Sequence, residues 1–251
     1  MQSDVSYVMM FGQSKSAKST VLATMAWFIQ SAPGYQPDLN AVGNRESAKT
    51  LKVWVRGLEN GEFPGKTALT TVQRIDIGFD RSSLGERRGF SFLEIAGENV
   101  VRLDPLHDSH ELAVDELRPW LNKTEAIVLT ASAEPVGGNL YDDCWILQAF
   151  LEFVRSDRRL DKLPILLLLT EWDRVAKTYP DWTSFARQHF FPVLKILKAR
   201  RERALSDVMT FCVGDVEDDR RRIRKLDVEG GVRKLVSWLA SSTTVASNDL
   251  D

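Results

Sequence analysis

An apolar run, Val5 to Phe11, leads straight into Gly12-Gln13-Ser14-Lys15-Ser16-Ala17-Lys18-Ser19-Thr20, and Val21 to Gln30 then turns apolar again. The first run reads as a buried strand and the last as a helix. A strand, a short loop with Gly and Lys-Ser, then a helix is the setting of a phosphate-binding loop. Backbone N–H groups of such a loop, and of the helix start behind it, point at an anion. The Lys18 ammonium can reach β- and γ-phosphates, and the Ser19 hydroxyl can ligate Mg²⁺. One position departs from G-x-x-x-x-G-K-[ST]: Ala17 stands where the second glycine would be. The competing reading is an ordinary strand–turn–helix whose lysine is solvated.

The rest of the chain alternates between strand and helix patterns. Ser31 to Asn40 is turn-rich, with Pro33, Gly34 and Pro37, and Ala41 to Leu58 is helical. Val72 to Phe79 and Phe90 to Ile95 are strands joined by a polar turn, Arg81 to Arg88, which suggests a hairpin. Asp108 to Leu121 reads as a helix that Pro119 can end early. Ala126 to Ala131 is a strand, Tyr141 to Val154 a helix, and Pro164 to Thr170 a Leu-rich strand of the kind parallel sheets bury on both faces. Asp181 to Arg203 is a long helix with a kink expected at Pro192. Val208 to Val213 is the last strand and Gly231 to Ala240 the last helix. The pattern implies an α/β fold, a mostly parallel sheet with one antiparallel edge strand and helices on both faces. One domain over residues 1–241 and a disordered tail over 242–251 are expected.

Composition narrows the function classes. Of 251 residues, 43% are hydrophobic and 27% charged, as in ordinary globular proteins, and the formal net charge is −2. That balance gives no general pull toward nucleic acid or anionic membrane. The basic clusters Lys195 to Arg203 and Arg220 to Lys225 are interleaved with acids, so a protein partner is expected in preference to nucleic acid. Cys144 and Cys212 lie in apolar segments and read as buried thiols, with no C-x-x-C pair to suggest zinc. His107, His110 and His189 show no metal-site spacing. No apolar run is long enough to span a bilayer and no signal-like start is present, so a cytoplasmic location is expected.

In a doubly wound sheet, ligands sit at the carboxyl ends of the strands. The loops there read Glu94-Ile95-Ala96-Gly97-Glu98, Thr170-Glu171-Trp172-Asp173 and Cys212-Val213-Gly214-Asp215. Their order behind Gly12–Thr20 resembles the Ras-like P-loop GTPases over nearly the whole chain, Val5 to Leu239. That family's D-x-x-G is matched by Glu94 to Gly97, its [NT]-K-x-D by Thr170 to Asp173, and its small-residue loop by Cys212-Val213-Gly214. Within the superfamily the chain most resembles bacterial double-GTPase-type domains of conflict or defence systems. Gly61-Glu62-Phe63-Pro64 to Thr67, Leu103-Asp104-Pro105 after Gly97-Glu98, and Val213-Gly214 carry that resemblance.

The resemblance implies a three-layer P-loop NTPase fold, a GTP or GDP ligand, Mg²⁺, and slow GTP hydrolysis that a partner accelerates. It implies that Gly12 to Thr20 cradle phosphates, with Lys18 stabilising charge. Ser19, Glu94 and the switch threonine Thr67 would hold Mg²⁺, with Thr70 and Thr71 as rivals to Thr67. Gly97 would contact the γ-phosphate, and Glu98 would either position water or simply start the next segment. Asp173 would read guanine with support from Thr170, and Cys212, Val213 and Gly214 would complete the base site. Two departures stand out. Glu94 is one methylene longer than the family's aspartate, and its plain alternative is a solvent-facing strand end. Glu171 reverses the charge of the family's lysine, which leaves an adenine-binding enzyme or a non-catalytic interaction module open. Thr170 to Asp173 also fits a helix N-cap.

Overall fold

A computed structural model of the chain describes residues 5–37, 45–65, 72–81, 86–95, 102, 107–135, 139–201, 204–217, 222–227 and 231–243. The strands are β1 (Val5–Phe11), β2 (Tyr35–Pro37), β3 (Val72–Arg81), β4 (Glu86–Ile95), β5 (Thr124–Ser132), β6 (Ile165–Thr170), β7 (Ser206–Thr210), β8 (Gly214–Val216) and β9 (Ile223–Leu226). The helices are α1 (Lys18–Ser31), α2 (Arg45–Glu59), α3 (His110–Leu121), α4 (Leu140–Ser156), α5 (Trp182–His189), α6 (Phe191–Arg200) and α7 (Gly231–Ser242).

Seven strands form one sheet in the order β2-β3-β4-β1-β5-β6-β7, and β8 and β9 form a separate hairpin. Strands β4, β1, β5, β6 and β7 run parallel, while β3 is antiparallel to β4 from Val72↔Ile95 to Arg81↔Glu86. The expected hairpin therefore forms, but its antiparallel strand is not the edge. The three-residue β2 pairs outside β3, Tyr35 to Arg81 and Pro37 to Phe79. Its brevity and its proline hid it in the turn-rich segment, and both are features that suit an edge.

The period-2 alternation of the central strands divides the core into two faces. Val8 and Met10, Ala126 and Val128, and Leu166 and Leu168 pack with α1, α2 and α7. Met9 and Phe11, Ile127 and Leu129, and Leu167 and Leu169 pack with the four helices α3 to α6 on the opposite face. Phe11 and Phe150 stack with ring centroids 3.9 Å apart, joining β1 to α4. This three-layer α/β arrangement brings the ends of β1, β4, β5, β6 and β7 to one rim.

Local chemistry sets several helix ends. Asn139 caps α4 by accepting from the Asp142 N–H at 2.8 Å, and Asp181 caps α5 through Ser184 N–H at 2.9 Å. The segment expected as one kinked helix is two, α5 and α6, broken at Phe190 with Pro192 in the first turn of α6. Proline fits there because a first-turn N–H has no intrahelical acceptor. Pro119 does not end α3, which runs on to Leu121. The basic stretch on α6 is only partly a solvated face. Lys195 and Lys198 are exposed, but Arg200 is buried and donates to Asp161 at 2.7 Å and to the Leu163 carbonyl at 2.9 Å. Part of the second basic cluster lies in β9. No helix among the described residues is long and apolar enough to cross a membrane.

Candidate functional site

Strand β1 stops at Phe11, and the chain passes close over β5. A Cβ on Gly12 would lie 2.3 Å from both the carbonyl oxygen and Oγ1 of Thr130, and 2.8 Å from Ser16 Oγ. Only glycine fits. Ser14 and Lys15 form an exposed turn, and Ser16 N–H returns to the Gln13 carbonyl at 3.3 Å. Lys15 (φ 65°) and Ala17 (φ 60°, ψ 21°) are left-handed. That conformation costs an L-residue roughly 1–2 kcal/mol. Left-handed residues within a turn let successive N–H groups converge on one concavity, the geometry of an anion nest. Ala17 thus adopts the backbone that the missing glycine would have taken freely.

Helix α1 begins at Lys18. The lysine is not solvated: it is buried, and Nζ donates to the carbonyls of Gly12 at 2.8 Å and Gln13 at 2.9 Å. The next residue reaches the neighbouring strand, with Ser19 Oγ donating to Glu94 Oε1 at 2.9 Å. Glu94 is buried on β4 beside Met10 of β1, so it is not a solvent-facing strand end. A hydroxyl and a carboxylate side by side are hard oxygen donors, a set that suits Mg²⁺. Among the described residues, no three His, Cys, Asp or Glu side chains cluster as a metal site. Thr67, with its rivals Thr70 and Thr71, and Gly97 and Glu98 lie outside the described residues.

A line of hydroxyls from β5 and β6 lies against this loop. Ser16 Oγ and Thr130 Oγ1 are 2.8 Å apart, and Thr130 Oγ1 donates to the Phe11 carbonyl at 3.3 Å. Thr170 Oγ1 shares its hydrogen between the carbonyls of Ser16 and Ala131, each at 3.2 Å. Thr170 is therefore the last residue of β6, its side chain committed to the loop. It caps no α-helix. Glu171 follows in a left-handed conformation (φ 54°) and opens a short 3₁₀ turn, Trp172–Arg174, without capping it through its side chain. Its carboxylate accepts from the Ser132 hydroxyl at the end of β5.

A cavity of about 320 Å³ opens between these loops. Lys15 and Ala17 of the first loop, Thr20 of α1, and Glu171, Asp173 and Arg174 after β6 line it. Phe63, Phe211, Val213 and Val216 supply its apolar wall. Such a pocket, mostly apolar with a few polar groups, is the usual form of a small-molecule site. The β8–β9 hairpin holds two of its borders: Arg174 donates to the Glu217 carbonyl at 3.0 Å, and Ile223 N–H to the Gly61 carbonyl at 2.8 Å.

Of the small-residue loop after β7, Val213 faces the cavity. Gly214 has a hairpin reason for being glycine, because a Cβ there would meet the Lys225 carbonyl at 2.0 Å. Burial, reinforced by the charges of Asp173 and Asp227, pushes the Cys212 thiol up to about 11. Burial likewise raises Cys144, so neither thiol is a ready nucleophile at neutral pH.

Sequence reasoning passed over Thr130, Ser132 and Asp143. The signal for the first two was two hydroxyl residues, two apart, at the carboxyl end of an apolar strand. Asp143, in the first turn of α4, is buried. Burial first, then the charge of Asp142, pushes its carboxyl up to about 7, while the Lys18 ammonium pulls it down. The lysine of the first loop thus feels a buried acid from a distant helix. Compared with known proteins, the chain matches no family model, and no curated protein matches it.

Proposed function

We propose that the chain is a guanine-nucleotide-binding protein of the Ras-like P-loop GTPase type, hydrolysing GTP slowly and relying on a protein partner for speed. One observation carries this reading. At the head of α1, Lys18 and Ser19, the latter paired with Glu94, fall between Ala17 and Thr20, which line a cavity together with Asp173. Phosphates would lie on the Gly12–Ala17 loop, met by its N–H groups and by the start of α1. Lys18, drawn inward by two carbonyls, supplies the charge that favours a terminal phosphate.

Ser19 and Glu94 would hold Mg²⁺, which when bound neutralises charge on the β- and γ-oxygens. Asp173 offers a carboxylate to a base edge with two N–H donors, as guanine has and adenine lacks. A base seated against the apolar wall would exclude water from that contact and so strengthen it. Arg174 is engaged with Glu217 and, at 3.6 Å, with Asp173. Arg174, which lines the cavity, is thus committed away from the phosphates, and a cationic group from a partner, worth about 10³–10⁵ in rate, is the expected accelerator.

Heating the purified protein and identifying the released nucleotide by chromatography tests the reading. GDP or GTP is expected. Adenine nucleotide would move the base assignment to an ATPase of the same type, a reading that Glu171 leaves open. No nucleotide, together with no binding on titration, would favour an interaction module. A Lys18→Ala variant that binds as well as the parent would remove the phosphate-loop assignment.

A further inference from the structure

We propose that Thr130, on β5, is a positioning residue that sets the shape of the Gly12–Ala17 loop before any ligand arrives. The proposal rests on the reading of that loop as an anion site, but its own test does not require a ligand. Thr130 occupies the same sheet face as Ala126 and Val128, which pack among apolar side chains. Valine would fill its volume equally well, so packing alone does not call for a hydroxyl there. The hydroxyl instead meets the two ends of the loop: Phe11 O at 3.3 Å, where β1 stops, and Ser16 Oγ at 2.8 Å, where the turn closes.

Ser16 is 2% exposed, so water does not readily replace that contact. One chain of donation fits both distances. Ser16 O–H gives to Thr130, and Thr130 O–H gives to Phe11 O, leaving each hydroxyl satisfied. Gly12 completes the device, since its bare Cα lets the backbone lie against Thr130. Because Ser16 immediately precedes left-handed Ala17 and then Lys18, fixing Ser16 also fixes the direction in which the nest and the lysine present themselves.

The consequence is preorganisation, which lowers the ordering cost of binding rather than adding a ligand contact. Losing the hydroxyl leaves Ser16 Oγ buried without its partner, and the loop must rearrange to satisfy it.

The experiment compares Thr130→Val, Thr130→Ser and the parent by amide hydrogen exchange without ligand, by thermal melting, and by titration with a fluorescent GTP analogue. Thr130→Val is expected to speed exchange over residues 12–20 by about tenfold, the size of one lost hydrogen bond, while the rest of the sheet is unchanged. Its affinity for the analogue should fall by a similar factor, and Thr130→Ser should match the parent in both. Unchanged loop exchange in Thr130→Val overturns the proposal. So does acceleration spread over the whole protein, or a Thr130→Ser variant that behaves like Thr130→Val. Should Thr130→Val fail to fold, Ser16→Ala removes the other end of the contact and must loosen the same residues. A parent that binds no nucleotide defeats the GTPase reading, while the exchange comparison still decides the role of Thr130.

Discussion

Ser19 at the start of α1 donates to Glu94 at the end of β4 across 2.9 Å, joining two elements that are 75 residues apart in sequence. The contact brings the start of α1, the helix that follows the Gly12–Ala17 loop, against β4, the strand beside β1. It also leaves a carboxylate beside a hydroxyl at the rim, the pair on which the proposed Mg²⁺ dependence rests. Glu94→Gln keeps an acceptor for Ser19 and removes the charge. The expected outcome is that GTP binding, tighter with Mg²⁺ than with a chelator in the parent, loses about tenfold of that difference, as for one charge-assisted interaction. Titrations with and without chelator measure it, and an undiminished Mg²⁺ effect would count against Glu94.

The close passage of Gly12 over β5 predicts a stability effect that is independent of ligand. Gly12→Ala puts a methyl 2.3 Å from the Thr130 carbonyl, a backbone atom that cannot swing away. The loop or the strand must move, and a loss of about 1–3 kcal/mol is expected by analogy with overpacked cores. Chemical denaturation of parent and variant reads this directly. An equally stable variant would mean that the loop relaxes at no cost.

Asp143 makes stability depend on pH. Its carboxyl is raised from 3.8 to about 7, chiefly by burial, so between those values the folded chain binds a proton that the unfolded chain has lost. Stability from this group therefore falls as pH rises from about 4 to about 7 and stays reduced above that, by up to about 4 kcal/mol. Asp143→Asn is expected to flatten this slope and to be more stable than the parent at pH 8. Melting curves across pH 4 to 8 test it, and an unaltered slope would remove Asp143 as its source.

Asp173 separates the base readings. Replacing it with alanine should weaken GTP binding by about 10- to 100-fold, the cost of losing hydrogen bonds to a charged acceptor, while ATP binding stays as it was. Equal losses for both nucleotides would show that Asp173 acts on the loop and not on the base. Competition titrations with the two nucleotides distinguish these results.

Much of the frame is written in local sequence. The alternation of Val8 and Met10 with Met9 and Phe11, and of Leu166 and Leu168 with Leu167 and Leu169, identifies strands buried on both faces. Gly12 through Ser19 declares a loop at a helix start. Those features depend on residues a few positions apart, so periodicity and turn chemistry suffice to read them.

What completes the rim depends on which strands become neighbours. Thr130 reaches Ser16 across 114 positions and Thr170 reaches it across 154, and sheet order alone makes them adjacent. The same holds for the β8–β9 hairpin, whose strands are too short to announce themselves and whose packing explains Gly214. Glu171 shows the division most plainly. Its resemblance to the GTPase motif makes it a reversed charge at a proposed base-reading position, whereas in the fold it is a left-handed residue whose carboxylate takes the hydroxyl of Ser132. The chemical inventory of the loop was legible in the chain itself. Its shape was decided by side chains from β5 and β6, because a buried hydroxyl finds its partner through packing between strands and not through spacing along one of them.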